Sequence, residues 1–332
     1  MKHTIEHLKA SLLAGAVGDA LGWPIEFKNH EYITQKYGPL GLTDLIPNHA
    51  NIAEITDDTQ MTLFTMEGIF NYLYSSRFAS LAEAVHHSYL RWYKTQISKY
   101  VSTSTIDFDL MSYPQLFHQR SPGTTCMSAL RSGVMGTVEK PINDSKGCGG
   151  VMRAAPVGYF FDRDEAFDHG CSVAAITHGH PLGYLSSGAL AYVMSLIFNG
   201  EEIENSVVLT INKLKSFSTA DVLVSLLQQA LSLSVSDLGD VQCIKQLGQG
   251  WVAEEALAIA VFCSLRYPGD LQKALSVSVN HDGDSDSTGS ITGNILGAYL
   301  GMGSIHEEWL NILEVTEIVI DFCNFVEHHD KS

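Results

Sequence analysis

Apolar residues recur at helical spacing through most of this 332-residue chain. In residues 59–74, for example, the sequence TQMTLFTMEGIFNYLY places Met61, Phe64 and Gly68 on one side. Residues three and four apart lie on the same face of a helix. The alternation of apolar and polar residues that indicates a strand is rare, and no strand–helix rhythm repeats. The sequence therefore predicts an all-α fold, built as a compact helical bundle.

The composition supports a folded chain with a large core. Hydrophobic residues make up 45% of the sequence and charged residues 17%, which excludes a disordered protein. No stretch has the composition of an interdomain linker, so we expect one domain over residues 1–332.

The charge balance limits the partners of the protein. The net charge of −17 would repel a nucleic-acid backbone, so no nucleic-acid surface is expected. A small phosphate ligand could still bind where backbone amides or a metal neutralise it.

Cysteine usage and hydropathy predict a cytoplasmic protein without a membrane partner. Six cysteines are scattered without CxxC pairs, which disfavours a disulfide framework or a zinc site. The first residues carry charges among apolar ones and do not resemble a signal peptide. The apolar stretch ALAYVMSLIF, from Ala189, is too short to span a bilayer.

Two acidic motifs each open a predicted helix. One is TDDT at residues 56–59, and the other is DGDSDST at residues 282–288. A single aspartate at a helix start is ordinary capping. Several carboxylates within a few residues repel one another, and a divalent cation would relieve that repulsion. Carboxylate and hydroxyl oxygens favour Mg²⁺, Mn²⁺ or Ca²⁺ over zinc.

The second motif does not complete an EF-hand. Counted from Asp282, the sixth and twelfth positions are Ser287 and Gly293, where an EF-hand requires glycine and glutamate. The spacing of the two motifs does not show whether they meet in space.

Glycines spaced four apart follow the second motif, at positions 289, 293, 297 and 301. In a helix they would form one smooth face, at a cost of roughly 1 kcal/mol each in helix propensity. Close approach of another helix is the favoured explanation, and close approach of a ligand is the alternative.

Two further polar segments are weaker signals. The glycine-rich turn at residues 147–150 could let backbone amides approach a phosphate, although it is neither a P-loop nor a dinucleotide fingerprint. The segment THGHPLGY contains His178 and His180, whose spacing favours hydrogen bonding over metal ligation, and Tyr184, which could stack on a base or lie in the core.

Together, five segments in this order resemble the ADP-ribosylglycohydrolase family: residues 15–27, 55–63, 147–158, 177–184 and 281–301. The resemblance spans almost the whole chain. It implies an all-α fold with two Mg²⁺ or Mn²⁺ ions, and it assigns the following metal ligands: Thr56, Asp57, Asp58, Asp284, Asp286 and Ser287.

The same resemblance assigns the remaining site residues. A carboxylate from Asp57, Asp58 or Glu26 would act as the base, and Glu26 matches a mobile glutamate near the metals. ADP-ribose would be bound by the glycine-rich turn on its diphosphate side and by the THGHPLGY segment on its adenosine side. The residues implied are Gly147, Gly149, Gly150, Met152, His178, Gly183 and Tyr184.

The implied activity is removal of ADP-ribose from a modified protein side chain. The DSDS form of the second motif resembles the arginine-directed hydrolases, so ADP-ribosyl-arginine is the foremost substrate. Serine-linked ADP-ribose and O-acetyl-ADP-ribose are enzymatic alternatives. A protein that binds ADP-ribose without cleaving it is disfavoured because the aspartates are intact, and a Ca²⁺-stabilised helical protein without turnover is a further alternative.

Overall fold

The computed structural model describes residues 4–102 and 108–330. Within those ranges the chain forms sixteen α-helices, and its only β structure is two isolated bridges. The prediction of an all-α fold is thereby confirmed. The helices are α1 (Ile5–Gly22), α2 (His30–Tyr37), α3 (Asp57–Tyr74), α4 (Leu81–Ile97), α5 (Thr124–Ser132), α6 (Val157–Phe160), α7 (Arg163–Ala175), α8 (Pro181–Phe198), α9 (Ile203–Leu214), α10 (Asp221–Ser234), α11 (Asp240–Leu247), α12 (Ala253–Arg266), α13 (Leu271–Val279), α14 (Ser285–Leu300), α15 (Glu307–Ile312) and α16 (Thr316–Asp330).

Helices α1 and α14 form the centre of the bundle, and their small residues let backbone meet backbone. A Cβ atom built on Gly18 would lie 2.1 Å from the carbonyl oxygen of Gly289. One built on Gly293 would lie 2.1 Å from the carbonyl oxygen of Ala14. No side chain fits between these segments, so the glycines set the distance between the helices.

The packing explanation of the spaced glycines is correct for three of the four positions. Gly289, Gly293 and Gly297 all face the α1 backbone. Gly301 does not continue this face. It ends α14 with a φ of 77°, a left-handed conformation that glycine adopts without steric cost.

Both acidic motifs begin helices, as predicted. The Thr56 hydroxyl accepts a hydrogen bond from the Asp58 amide at the start of α3. Asp284 accepts one from the Ser287 amide at the start of α14. Because α14 packs on α1 and α1 also contacts α3, the two helix starts lie near each other.

Two other segments complete the description of the bundle: the connection between α1 and α3, and helix α8. The long connection between α1 and α3 contains one regular helix, α2, capped by the Asn29 side chain. Helix α8 is long and apolar enough to cross a membrane by length and composition alone. Since 83% of it is buried inside the bundle, its hydrophobicity is explained by its place in the core.

Candidate active site

Side chains from distant segments surround one cavity of about 310 Å³ at the starts of α3 and α14. Carboxylates dominate one part of its wall, and the glycine-rich turn forms another. The predicted residues that line it are Glu26, Asp57, Asp58, Asp284, Asp286, Ser287, Gly147, Gly149, Met152 and His178. The structure therefore places the two acidic motifs side by side, which their spacing in the sequence could not show.

Backbone amides hold several of these carboxylates in place. Asp57 Oδ2 accepts a hydrogen bond from the Gly123 amide at 3.0 Å. Asp286 Oδ1 accepts one from the Ser287 amide at 3.0 Å. Amides at helix starts are the donors least satisfied by the helix itself, and the positive end of the helix dipole favours negative charge there.

Asp282 belongs to the second motif but does not line this cavity. Its Oδ1 accepts a hydrogen bond from the His30 amide at 2.6 Å, and its Oδ2 lies 3.6 Å from Lys245 Nζ. It ties the first residue of α2 to the turn that precedes α14.

Asp19 is a buried residue for which sequence reasoning assigned no role. Its carboxylate accepts hydrogen bonds from both the amide and the hydroxyl of Thr56, and from both the amide and the hydroxyl of Thr59. It thus ties α1 to the first turn of α3. The signal that could have indicated it is an aspartate within the otherwise small and apolar GAVGDALG segment.

Burial and mutual repulsion raise the pKa values of the clustered carboxyls. Burial is the largest cause for Asp19, and the charge of Asp286 adds to it, so the pKa of Asp19 rises to about 7. The same two causes raise the pKa of Glu26 to about 9. Burial likewise raises the pKa of the other four carboxyls in the cavity: Asp57, Asp58, Asp284 and Asp286.

The donor set fits a hard divalent cation. One carboxylate oxygen, Asp58 Oδ1, is buried and has no hydrogen-bond partner among the described residues. A cation would satisfy that oxygen and remove the repulsion that raises the pKa values. Among residues 4–102 and 108–330, no three acidic, histidine or cysteine side chains stand in ligating geometry.

The glycine-rich turn lies directly against the second acidic motif. The Cys148 thiol donates to Asp284 Oδ2 at 2.8 Å, and the Cys148 amide donates to the Trp251 carbonyl at 3.2 Å. Burial and the neighbouring Asp284 carboxylate raise the pKa of Cys148 well above its usual range. The thiol therefore stays protonated at neutral pH, which argues against Cys148 as a thiolate nucleophile.

His178 completes the wall beside this turn. Burial and the positive charge of Arg153 lower its pKa to about 3, so the imidazole is neutral. A Cβ atom built on Gly149 would lie 3.3 Å from His178 Nε2, which shows how closely the ring lies against the turn.

Four predicted residues lie behind or beside the cavity wall. The Thr56 hydroxyl donates to Asp19 at 2.8 Å, Gly150 is buried behind the turn, and Gly183 packs against the backbone of residues 145–146. Tyr184 is partly buried against the hydrophobic core. None of these four residues lines the cavity.

The rim of the cavity carries two aromatic rings and two residues with strained backbone conformations. Phe27 is 68% exposed and stacks on Trp251, with ring centroids 5.1 Å apart. Phe27 and Ser121 both have positive φ, at 63° and 46°. Glu26 Oε2 accepts a hydrogen bond of 2.6 Å from the Ser121 hydroxyl, so the strained positions fix Glu26 at the mouth of the cavity.

The protein is an all-α bundle with an acidic cavity beside a glycine-rich turn, and comparison with known proteins gives its family. The chain belongs to the ADP-ribosylglycohydrolase family, whose model matches residues 1–330. It is therefore a glycohydrolase enzyme that acts on ADP-ribosyl compounds.

Individual relatives agree with this family. An uncharacterized protein of Archaeoglobus fulgidus is 27% identical over 95% of this chain and 93% of its own length. The ADP-ribosylarginine hydrolase Tri1 of Serratia proteamaculans is 23% identical over 93% of this chain and 76% of its own. ADP-ribosylhydrolase ARH3 of Mus musculus is 26% identical over 50% of this chain and 52% of its own. A solved structure of an ADP-ribosylglycohydrolase-related protein complex has the same fold, with a TM-score of 0.66, 22% identity and 97% coverage of both chains.

Proposed function

We propose that this enzyme removes ADP-ribose from modified arginine side chains of proteins, with the help of two Mg²⁺ or Mn²⁺ ions. The observation that carries the proposal is the meeting of five carboxylates and the glycine-rich turn at one cavity. The similarity to an ADP-ribosylarginine hydrolase over 93% of the chain supports arginine as the linkage. We expect an ADP-ribosylated protein to be the substrate and free ADP-ribose the product.

The metal ions would be held by the two helix starts. Asp57 and Asp58 would supply oxygens from one side, and Asp284, Asp286 and Ser287 from the other. Thr56 would contribute through its position in the same turn, although its hydroxyl now donates to Asp19. Bound Mg²⁺ or Mn²⁺ would supply positive charge that orients the ribose and lowers the pKa of the attacking water.

The chemistry breaks the bond between ribose C1″ and a guanidinium nitrogen. Water adds to C1″ through an oxocarbenium-like transition state, and the nitrogen leaves with the bonding electrons as a neutral guanidine that takes up the proton released by the water. A carboxylate must take one proton from the water. Asp57, Asp58 and Glu26 all line the cavity and are the candidates for this base.

Each of the three candidates has one oxygen near a donor. The distances are 3.0 Å from the Gly123 amide to Asp57, 2.6 Å from the Ser121 hydroxyl to Glu26 and 3.5 Å from the Thr56 hydroxyl to Asp58, whose Oδ1 has no hydrogen-bond partner among the described residues. Glu26 is not assigned as a metal ligand, so if it is the base, Glu26→Gln should lower kcat by about 10²–10⁴-fold with little change in metal affinity. Replacing a metal ligand should instead raise the metal concentration needed for half-maximal rate.

The decisive experiment measures ADP-ribose release from arginine-ADP-ribosylated and serine-ADP-ribosylated protein, and from O-acetyl-ADP-ribose. Each substrate is tested with Mg²⁺, with Mn²⁺ and with a chelator. The proposal expects metal-dependent release from the arginine conjugate, abolished by Asp284→Asn and retained by Asp168→Asn on the exposed face of α7. Release from another conjugate alone would reject the arginine assignment, and release in chelator would reject the metal assignment.

A further inference from the structure

Arg153, which directly follows the glycine-rich turn, is a fully buried cation without an acidic partner. Its side chain has no exposed surface, and none of the ion pairs found in the described ranges includes it. By contrast, the partly buried Arg91 pairs with both Glu67 and Asp109. An uncompensated buried charge is costly, so such a residue requires an explanation.

The contacts of Arg153 are weak acceptors for a guanidinium. Nη2 donates to the Thr177 hydroxyl at 2.6 Å, and Nη1 lies 3.5 Å from the Cys126 sulfur. The group lies 4.3 Å above the Tyr89 ring, and its Nε has no hydrogen-bond partner. These contacts orient the guanidinium but leave its charge unneutralised.

Arg153 stands one layer behind the cavity wall. Its neighbours Met152 and Cys126 line the cavity, and Thr177 connects it to His178. The Thr177 oxygen accepts from Arg153 and lies 2.8 Å from His178 Nδ1. The remaining Thr177 hydrogen can bond Nδ1, which leaves the proton of the neutral ring on Nε2, the nitrogen beside Gly147 and Gly149.

We propose that Arg153 is a positioning residue for a diphosphate bound against the Gly147–Gly149 turn. Its buried positive charge offsets the negative charge of the acidic cluster, and through Thr177 it holds His178 as an Nε2–H donor toward the diphosphate. This inference rests on the proposed function, because it takes a diphosphate-containing ADP-ribosyl compound as the ligand. The acidic cluster would otherwise repel such an anion, and a buried cation one layer away offsets that repulsion more strongly than a solvated one.

The test compares ligands with and without the diphosphate. Calorimetry on the full chain with Mg²⁺ measures the Kd values of ADP-ribose and adenosine for the wild type, Arg153→Met and Arg153→Lys. We expect Arg153→Met to weaken ADP-ribose binding by tenfold or more and adenosine binding by less than about twofold. Arg153→Lys, which keeps the charge, should retain most of the preference, and Arg91→Met serves as the control because Arg91 is neutralised elsewhere. An equal loss for both ligands, or no loss, in Arg153→Met would overturn the inference.

A second measurement covers the case in which Arg153→Met fails to fold. Thr177→Val keeps the charge but removes the link to His178, and ¹⁵N NMR of the imidazole reports which nitrogen carries the proton. We expect Nε2–H in the wild type and a changed tautomer population in Thr177→Val. An unchanged spectrum would refute the positioning role. If the wild-type protein binds ADP-ribose but hydrolyses no conjugate, the proposed function is refuted and this inference stands. If the wild type hydrolyses a conjugate but Arg153→Met does not weaken ADP-ribose binding more than adenosine binding, only the inference is refuted.

Discussion

The contact between α1 and α14 makes a quantitative prediction for Gly289→Ala. The added methyl group would lie 2.4 Å from the Gly18 carbonyl oxygen and 2.8 Å from Val279 Cγ1, whereas ordinary contacts begin at 3.4 Å. The helices must therefore separate by about 1 Å, since a backbone carbonyl cannot rotate away. Overpacking of this kind costs about 1–3 kcal/mol, and alanine returns roughly 1 kcal/mol of helix propensity, so we expect a net loss of up to about 2 kcal/mol.

The same displacement should affect catalysis more than stability. Gly18 precedes Asp19, which anchors the start of α3, and Gly289 lies one turn beyond Asp286. A 1 Å shift between the two acidic motifs is expected to lower the rate by about 10²-fold, because reacting groups must be held within a fraction of an ångström.

Urea denaturation and ADP-ribose release at saturating Mg²⁺ measure the two effects separately. Gly297→Ala provides a matched control, since its methyl group would lie 2.3 Å from the Ala10 carbonyl oxygen but two turns farther from the cavity. It should cost similar stability with a smaller loss of rate. Gly269→Ala, where nothing lies within 4 Å, should change neither. If Gly289→Ala were as stable and active as the wild type, the reasoning that this contact fixes the acidic motifs would be refuted.

Three further predictions concern the acidic cluster. Chelator-treated protein should lose stability as the pH rises from about 5 to 9. The folded pKa values of Asp19 and Glu26, about 7 and about 9, exceed their unfolded values, so the folded state holds more protons than the unfolded state in this range. Urea unfolding at pH 5, 7 and 9 measures this dependence, which saturating Mg²⁺ should flatten, and a stability that rises with pH would contradict the prediction. Asp19→Asn should destabilise the fold by about 2–4 kcal/mol, since an amide donor would face the amides and hydroxyls of Thr56 and Thr59; unchanged thermal and urea unfolding would argue against this anchoring role. Cys148→Ser should keep the rate within about threefold because a hydroxyl can also donate to Asp284, whereas complete loss of turnover in Cys148→Ser would indicate thiol chemistry.

Local sequence patterns were sufficient to predict the all-α fold, and they indicated which kind of chemistry to expect. Helical periodicity depends on residues three and four apart, and the helices appear where that spacing predicts them. The capping role of Thr56 and Asp284 also follows from short-range hydrogen bonding, and both residues begin helices. Oxygen-rich motifs indicate hard cations from ligand type alone, without any knowledge of the fold. The metal assignment itself stays a prediction.

Long-range packing decided the rest. The packing of α1 against both α14 and α3 brings the two acidic motifs to one cavity. Only the folded chain shows that Asp19 anchors α3 while Asp282 contacts His30 and Lys245. The cavity wall also excludes Thr56, Gly150, Gly183 and Tyr184, although Thr56 and Gly150 directly adjoin residues that line it. The physical reason is that a motif specifies which groups are adjacent along the chain, whereas the direction of each side chain and its distant neighbours depend on how the helices pack.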